Sequence, residues 1–595
     1  QAVKNAIRQY INDRSAKDKL FNFARCMVHF AADTDEVYMS TTINGTNNFL
    51  PFNKGLNDGS PHPPFGAGNP DPKDRLKTWY LWHEVLSKSS LTNIIEKFAQ
   101  LVIEKDPDTK KVKRKLIFPR YHQLKVVREL LADVKDKGVG QRYLIQHSAG
   151  SGKSNSITWL AHQLVSLYDK SNTQALFDCV VVVTDRTVLD EQIRENIKSF
   201  SHVKRVVEAI TGKAKDIKEL DPTENSFSKT THMRLALANN KKLIICTVQT
   251  FPFVLDAIQE MQEKKVSIII DEAHSSQSGQ AAASMNALFA DKEIAELNKD
   301  EEGNISTEDL LNYLIESRKM LNNASYFAFT ATPKNKTLET FGIPVQYTDE
   351  NGEQHNRYVP FHTYSMKQAI EEDFILDVLE KYTTYQSYYK IRKGSEEISS
   401  DQLYDTKKAN KKIRSYVEGN EMAIKEKARI MVDHFQQNVW HLIGRRAKAM
   451  VITKSIESAM KYKDAFDEYL KETNSPFKAI VAFSGKKAHY KTGEELTEEK
   501  MNRFPDNDND IPKQFKKDEY RFLIVANKYQ TGFDQPLLHT MYVDKELSDV
   551  QAVQALSRLN RAYKPDKKDT FVLDFYNKTE DIKEAFDPDR KSVVW

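Results

Sequence analysis

Cysteine is scarce. The chain has three in 595 residues, Cys26, Cys179 and Cys246. Three so widely spaced residues exclude a disulfide framework and a cysteine-based zinc site. Cys179 and Cys246 lie inside apolar runs, where a buried structural thiol belongs, and this usage suits a reducing cytoplasm. Long hydrophobic runs are missing as well. No stretch approaches the ~20 apolar residues of a membrane-spanning helix, and no secretory leader is legible. Charge of one sign is also lacking. Lys and Arg total 88 against 84 Asp and Glu, a formal balance of +4, so no global basic field announces nucleic acid, although a local stripe would suffice. The first residue is Gln1 rather than Met, and the chain is expected to be a piece of a longer protein. Its length allows three or four domains, each with its own core.

The chain is organised around Gln146-His147-Ser148-Ala149-Gly150-Ser151-Gly152-Lys153-Ser154. It follows the apolar run Tyr143-Leu144-Ile145 and opens a helical stretch. Strand, glycine-rich turn, Gly-Lys-Ser and helix make the arrangement of a P-loop. Its glycines let backbone N–H groups curl around phosphate oxygens, and the helix starting at Lys153 adds its positive end. Lys153 is expected to neutralise β- and γ-phosphate charge and Ser154 to hold Mg²⁺. Ser148, Ala149, Gly150, Ser151 and Gly152 form the cradle. One position departs from the pattern: His147 stands where glycine is usual, six residues before Lys153.

Upstream, residues 1–50 read as the end of an earlier domain, with a helix near 2–12 and a strand near 36–42. Residues 51–72, rich in Pro, Gly, Asn and Asp, read as a loop or linker. Trp79-Tyr80-Leu81-Trp82 reads as an apolar helix face packed on a neighbour. A helix is expected over 91–103, followed by a solvated charged stretch over 104–115. Gln123 lies about thirty residues before Lys153, and an amide that both donates and accepts can read an adenine edge.

Downstream, four apolar runs end in polar tips: Cys179–Val183 with Thr184-Asp185-Arg186; Leu243–Cys246 with Thr247-Val248-Gln249-Thr250; Val266–Ile270 with Asp271-Glu272-Ala273-His274; and Tyr326–Phe329 with Thr330-Ala331-Thr332-Pro333. Helical stretches separate them. Such alternation predicts a parallel sheet with ligand sites at the strand C-termini. Asp271 at a strand tip is placed to hold the water shell of Mg²⁺, Glu272 to polarise the attacking water, and His274 to sense the site.

A second set of strands is expected in 449–453, 479–483, 522–526 and 540–543, after a charged exposed span at 390–427 and around a polar surface loop at 486–517. A new segment is read from Tyr364 onward. Gln554, Arg558 and Arg561 recur at helical spacings of four and three, so one helix is expected to carry them on one face. Guanidinium forks suit phosphate oxygens, and such a face presented to the P-loop supplies arginine fingers. Thr531-Gly532-Phe533-Asp534 is expected between the nucleotide and the strand-binding face.

Taken in order, Gln123, the P-loop, Thr184-Asp185-Arg186, Thr247 with Gln249, Asp-Glu-Ala-His and Thr-Ala-Thr-Pro resemble a superfamily 2 helicase or translocase. Gln146–Ser154 with the preceding Leu144-Ile145, Gln530-Thr531-Gly532-Phe533-Asp534-Gln535-Pro536, Ala555-Leu556-Ser557-Arg558-Leu559-Asn560-Arg561 and Phe49-Leu50-Pro51-Phe52-Asn53-Lys54-Gly55 narrow this to the restriction (motor) subunit of type I restriction-modification enzymes. The resemblance implies an α/β fold: two RecA-like parallel-sheet motor domains preceded by the remnant of an α/β nuclease domain. The implied division is 1–90 for that remnant and a linker, 91–360 and 361–580 for the two motor domains, and 581–595 for the start of a helical region. It implies ATP and Mg²⁺ as cofactors and double-stranded DNA, a specificity subunit and a methyltransferase subunit as partners, with no membrane. Lys153, Asp271, Glu272, Arg558 and Arg561 would be catalytic; Gly532 and Asp534 would join Gln123 and the P-loop at the nucleotide. Ser154 and Asp271 would hold the metal. His274, Thr330, Thr332 and Gln554 would couple hydrolysis to movement; Arg186, Thr247, Gln249, Thr453 and Lys454 would face DNA. The family's nuclease acids find no match and are expected upstream of Gln1; Ala6 stands where the nuclease helix would carry Gln, four residues before Tyr10.

Two rivals follow. One is another superfamily 2 motor, an RNA helicase or a remodeller. The other is a non-catalytic nucleotide-gated binding module, against which Lys153, Asp271, Glu272, Arg558 and Arg561 argue together.

Overall fold

The computed structural model describes residues 2–14, 17–45, 48–55, 66–105, 112–148, 150–184, 207–271, 321–348, 354–385, 421–506, 508–530 and 533–590. The chain forms two compact units: Gln1–Phe374, which also takes Asp589 and Arg590, and Ile375–Pro588.

The first unit opens with the expected helix, Ala2–Asn12, whose Val3 and Ile7 lie one turn apart and are buried with Ala31 and Phe49. It rests on an antiparallel sheet of β1 (His29–Ala32), β2 (Val37–Ser40) and β3 (Leu50–Pro51). The aromatic cluster at 79–82 forms a wide π-type turn over Leu81–Val85. Tyr80 and Leu81 are buried, whereas Trp82 is exposed. Trp79 stacks on His83 at 3.6 Å between ring centroids.

The helix expected over 91–103 is shorter and earlier, Lys88–Lys97. The chain instead turns into a hairpin of β4 (Gln100–Lys105) and β5 (Val112–Ile117). Leu101, Val102 and Ile103 suit a strand, and the stretch expected as solvated linker supplies its partner, so backbone pairing overrode the charge pattern.

A seven-stranded, all-parallel sheet follows. Its strands are β6 (Arg142–His147), β7 (Cys179–Thr184), β8 (Val207–Ala209), β9 (Leu243–Thr247), β10 (Val266–Asp271), β11 (Ala324–Thr330) and, after a hairpin of β12 (Ile343–Thr348) and β13 (Gln354–Val359), β14 (His362–Tyr364). The spatial order is β14-β6-β11-β10-β7-β9-β8. Side chains alternate between faces, so Val180, Val182, Ile245, Ile269 and Phe327 enter one core while Val181, Val183, Ile244, Ile268 and Ile270 enter the other. Helices Tyr121–Lys137 and Lys153–Val165 cover the first face; Lys229–Ala238 and Phe251–Glu260 cover the second. Burial on both sides is why these strands read as unbroken apolar runs.

The segment read as a new start from Tyr364 belongs to this first sheet. β14 pairs with β6 through His362–Ile145, Thr363–Gln146 and Tyr364–His147. The unit therefore ends at Phe374 rather than at residue 360. A three-residue strand is below what periodicity can register, and only its pairing reveals it.

The second unit has a six-stranded parallel sheet: β15 (Tyr382–Thr384), β16 (Lys448–Thr453), β17 (Lys478–Ala482), then a short ladder of β18 (Lys487–Ala488) and β19 (Glu495–Leu496), β20 (Tyr520–Val525), β21 (Leu538–Asp544) and β22 (Phe571–Asp574). The sheet order is β15-β22-β21-β16-β20-β17. Helices Glu421–His434 and Ile456–Glu472 pack on it. The expected surface loop at 486–517 includes helices Glu498–Asn502 and Ile511–Lys516. Its polar groups tie it down: Glu498 accepts from the Phe483 N–H, and Asn502 clamps both backbone groups of Val481.

Candidate nucleotide-binding site

The P-loop leaves β6 at His147 and re-enters helix at Lys153. Gly150 (φ +87°) and Gly152 (φ +84°) adopt left-handed backbone, which a side chain disfavours. The Ser151 N–H donates to the Ser148 carbonyl at 3.1 Å, closing the turn. Lys153 is the first helical residue and is 7% exposed. Ser148 Oγ and Ser151 Oγ are buried with no hydrogen-bond partner among the described residues, as suits hydroxyls that await phosphate oxygens.

The neighbouring strand tips align with the loop. Thr330 of β11 pairs with Gln146 of β6, and Asp271 of β10 pairs with Phe329 of β11. Asp271 is 3% exposed, Thr330 fully buried and Thr332 nearly so. The sheet thus brings Lys153, Asp271, Thr330 and Thr332 to one edge. Thr247 ends β9 on the same edge, its hydroxyl 3.2 Å from that of Thr250. Gln249 lies on the single turn Val248–Thr250. Ala149, Arg186, Glu272 and His274 fall outside the described residues.

Gln123 is buried and reaches the loop directly. Its Oε1 accepts from the Arg120 N–H at 3.0 Å, and its Nε2 donates to the Gly152 carbonyl at 3.1 Å. A methyl group on Gly152 would meet that Nε2 at 2.6 Å. The amide therefore holds the loop's backbone, in addition to the adenine contact expected of it.

The structure accounts for His147 in the glycine position. It is the last residue of β6 and is fully buried, with its Nε2 2.9 Å from Nδ1 of His362 on β14. Burial, then the neighbouring His362 and Lys153, hold its pKa well below the ordinary value, so the ring is neutral. Tyr364 of β14 pairs with this last residue of the strand.

Around this histidine lies a buried polar cluster that sequence reading missed. His122 stacks on Tyr364 at 3.8 Å between centroids and reaches the Ser151 carbonyl with Nε2 at 3.2 Å. Arg120 Nη2 donates to Glu372 Oε2 at 2.6 Å and to the Tyr364 hydroxyl at 3.0 Å, and that hydroxyl donates to Glu372 at 2.7 Å. Burial raises the Glu372 pKa, opposed by Arg120. The signal was faint: Arg120 and His122 flank Gln123, but nothing local in the sequence joins them to Glu372.

In the second unit, Gln554 lies near the end of helix Asp549–Leu556. Arg558 and Arg561 do not continue that helix, contrary to the spacing argument. Ser557 caps it, Arg558 follows in a turn, and Arg561 forms an isolated antiparallel bridge with Ile375. Tertiary bonds capture the chain here: Lys567 Nζ donates to the Leu559 carbonyl at 2.6 Å, and the Leu376 N–H donates to the Asn560 carbonyl at 2.8 Å. Arg558 Nε donates to the Gln554 carbonyl at 3.2 Å, and Arg561 Nε lies 3.3 Å from Asp534 Oδ1. Arg558 thus stays with Gln554, while Arg561 pairs with Asp534. Gly532 falls outside the described residues. Burial pulls the Lys567 pKa down to about 7.

Of the residues expected to face DNA in this unit, Lys454 is half-buried, but Thr453 is fully buried with its hydroxyl donating to the Val525 carbonyl at 3.1 Å. That hydroxyl joins the tips of β16 and β20 and is not displayed to a ligand in this conformation.

Two family models match the chain. Residues 122–413 match the SWI2/SNF2 ATPase family, and residues 487–577 match domain 3 of the type I restriction enzyme R subunit. The chain is similar to the endonuclease subunits of type I restriction enzymes. It is 24% identical over 552 residues to the MjaVIIIP endonuclease subunit of Methanocaldococcus jannaschii, covering 85% of this chain and 48% of the relative. It is 23% identical over 520 residues to the type I restriction enzyme HindI endonuclease subunit of Haemophilus influenzae, covering 82% and 42%. The chain therefore spans less than half the length of either relative. Among solved structures, the ATP-dependent type ISP restriction-modification enzyme LlaBIII bound to DNA aligns with a TM-score of 0.47 at 15% identity, over 82% of this chain and 31% of that one.

Proposed function

We propose that this chain is an ATP-driven translocase on double-stranded DNA, the motor of a type I restriction complex that cleaves unmodified foreign DNA. The observation that carries the reading is the alignment of Lys153, Asp271 and Thr330 on one edge of a parallel sheet, below a loop whose glycines adopt left-handed backbone.

The loop N–H groups and the Lys153 ammonium bind the phosphates and favour charge that develops on the γ-phosphoryl group. The orphaned hydroxyls of Ser148 and Ser151 fit the same guest. The donor set for a divalent cation fits Mg²⁺: a Ser154 hydroxyl at the helix start and an Asp271 carboxylate, both hard oxygen ligands. Bound there, Mg²⁺ would supply charge neutralisation of the phosphates. Glu272, next to Asp271, orients and deprotonates the attacking water. Arg558 and Arg561 act as arginine fingers. Movement along DNA uses phosphate contacts, with Lys454, Arg186, Thr247 and Gln249 as candidates, and is independent of sequence. Sequence choice belongs to the specificity subunit, with the methyltransferase as the second protein partner; the cytoplasm is the expected compartment, and among the described residues no helix is long and apolar enough to cross a membrane.

The test is ATP hydrolysis by the purified chain with linear duplex DNA, single-stranded RNA or no polymer. Stimulation by duplex DNA and not RNA is expected. Stimulation by RNA alone would favour an RNA motor, and no hydrolysis under any condition would favour a nucleotide-gated binding module.

A further inference from the structure

Residues 364–376 touch both sets of elements that the proposed motor uses to grip nucleotide. At its start, the Tyr364 carbonyl accepts from the Ser148 N–H at 3.0 Å, and the Tyr364 ring stacks on His122, which reaches Ser151. Through the helix Met366–Glu371 it arrives at Glu372. That carboxylate takes Arg120 Nη2 on one oxygen and Gln368 Nε2 on the other, at 2.6 and 3.0 Å. Arg120 also lies 3.9 Å from the centre of the Phe374 ring, and its own N–H is held by Gln123, whose amide grips Gly152. Phe374 ends the long segment of the first unit, and Ile375 begins the second unit. Ile375 bridges Arg561, and Leu376 donates to Asn560. Two adjacent residues therefore mark one of the two places where the chain passes between units. One side is tied to the P-loop, the other to the arginine segment.

We propose that 364–376 is a coupling strap, in which Arg120, Tyr364 and Glu372 are positioning residues that hold the P-loop to one end while Leu376 holds Asn560–Arg561 to the other. The proposal rests on the motor reading above. Burial gives it mechanical sense. Arg120 and Glu372 are a buried ion pair, and such pairs are rigid in geometry but weak as a source of net stability against an apolar replacement. A purely structural role would be served as well by two packed apolar side chains. The ion pair joined to Tyr364 and Gln123 makes a hydrogen-bonded chain with few alternative arrangements, which is what transmits a small shift rather than absorbing it.

The experiment compares four variants with the parent chain: Tyr364→Phe, Glu372→Gln, the double change Arg120→Met with Glu372→Leu, and Leu376→Pro, which deletes the N–H that Asn560 accepts. Melting temperature, KM for ATP and the ratio of ATPase rates with and without duplex DNA are measured for each. Glu372→Gln is expected to lower the melting temperature, raise KM and reduce DNA stimulation, each kinetic effect by about tenfold, the scale of a typical coupling between sites. The double variant is expected to recover the melting temperature but neither kinetic quantity. Leu376→Pro is expected to reduce the stimulated rate with little change in KM. If the double variant recovers KM and stimulation together with stability, the cluster is only structural and the strap is refuted. Unchanged KM and stimulation in Tyr364→Phe and Glu372→Gln would refute it too. A parent chain that hydrolyses no ATP with duplex DNA would sink the motor reading, and the strap with it.

Discussion

Replacing Gly152 with alanine tests whether Gln123 shapes the P-loop. Two costs follow from the geometry. At φ +84° an alanine occupies left-handed backbone, which costs about 1–2 kcal/mol. Its methyl group would also lie 2.6 Å from Gln123 Nε2, so the amide must leave. That breaks the bond to the Gly152 carbonyl, worth about 1 kcal/mol net. Together they destabilise the phosphate-ready loop by about 2–3 kcal/mol, and nucleotide binding that must restore it weakens by roughly 30- to 150-fold. Gln123→Ala alone should weaken binding about tenfold or less. The informative variant carries both changes. With the amide gone, the added methyl group meets no obstacle and only the backbone strain remains, so the double variant should bind about 1 kcal/mol better than the two single losses predict. Titration of a fluorescent ATP analogue gives the affinities, and melting curves confirm folding. Losses that add to within about 0.5 kcal/mol would refute the placement of the amide over Gly152.

Further outcomes follow from the same contacts. Lys153→Ala should abolish ATP hydrolysis and leave the circular dichroism spectrum unchanged, because the ammonium sits at the loop rather than in either apolar core; hydrolysis at the parent rate would contradict its role. Arg561→Ala should lower DNA-stimulated kcat by about a thousandfold. Its partly exposed pair with Asp534 predicts a stability change within about 1 kcal/mol, so a large fall in melting temperature with kcat intact would reverse that assignment. Lys567 gives a pH signature. Burial lowers its folded pKa to about 7 from 10.5, so between those values the unfolded chain binds the extra proton and stability rises with pH, by at most ~1.4 kcal/mol per unit. Lys567→Met should remove that rise, and urea unfolding at pH 7 and 9 with the same slope in both proteins would rule it out.

Much of this fold was legible because its strands are buried on both faces. Runs such as Val180–Val183 and Ile268–Ile270 announce themselves by composition, and their polar tips mark the edge proposed to bind nucleotide. Four of the second sheet's six strands were legible for the same reason, whereas β15 and β22 were not. What escaped was structure made by partners distant in sequence. β14 is three residues long and exists because β6 offers its edge. The hairpin of β4 and β5 pairs an apolar strand with the charged segment that follows it. The arginine segment leaves its helix at Ser557 because Lys567 and Leu376 capture Leu559 and Asn560, while helical spacing alone carries Arg558 and Arg561 onward. His147 departs from the loop pattern, and its companion His362 lies far from it in sequence. Within the site, residue types and order were readable, whereas the buried contacts among Arg120, Tyr364 and Glu372 were not, since burial of a charged residue depends on a pairing that no local pattern records.

The claim that ATP drives this chain along duplex DNA meets its most direct test in triplex displacement. A labelled third strand is annealed on linear duplex DNA, and its release is followed after ATP is added to the chain assembled with the specificity and methyltransferase subunits proposed as its partners. ATP-dependent release, absent with Lys153→Ala and delayed in proportion to the distance between recognition site and triplex, is the predicted result. Release independent of that distance, or unchanged by Lys153→Ala, would contradict translocation.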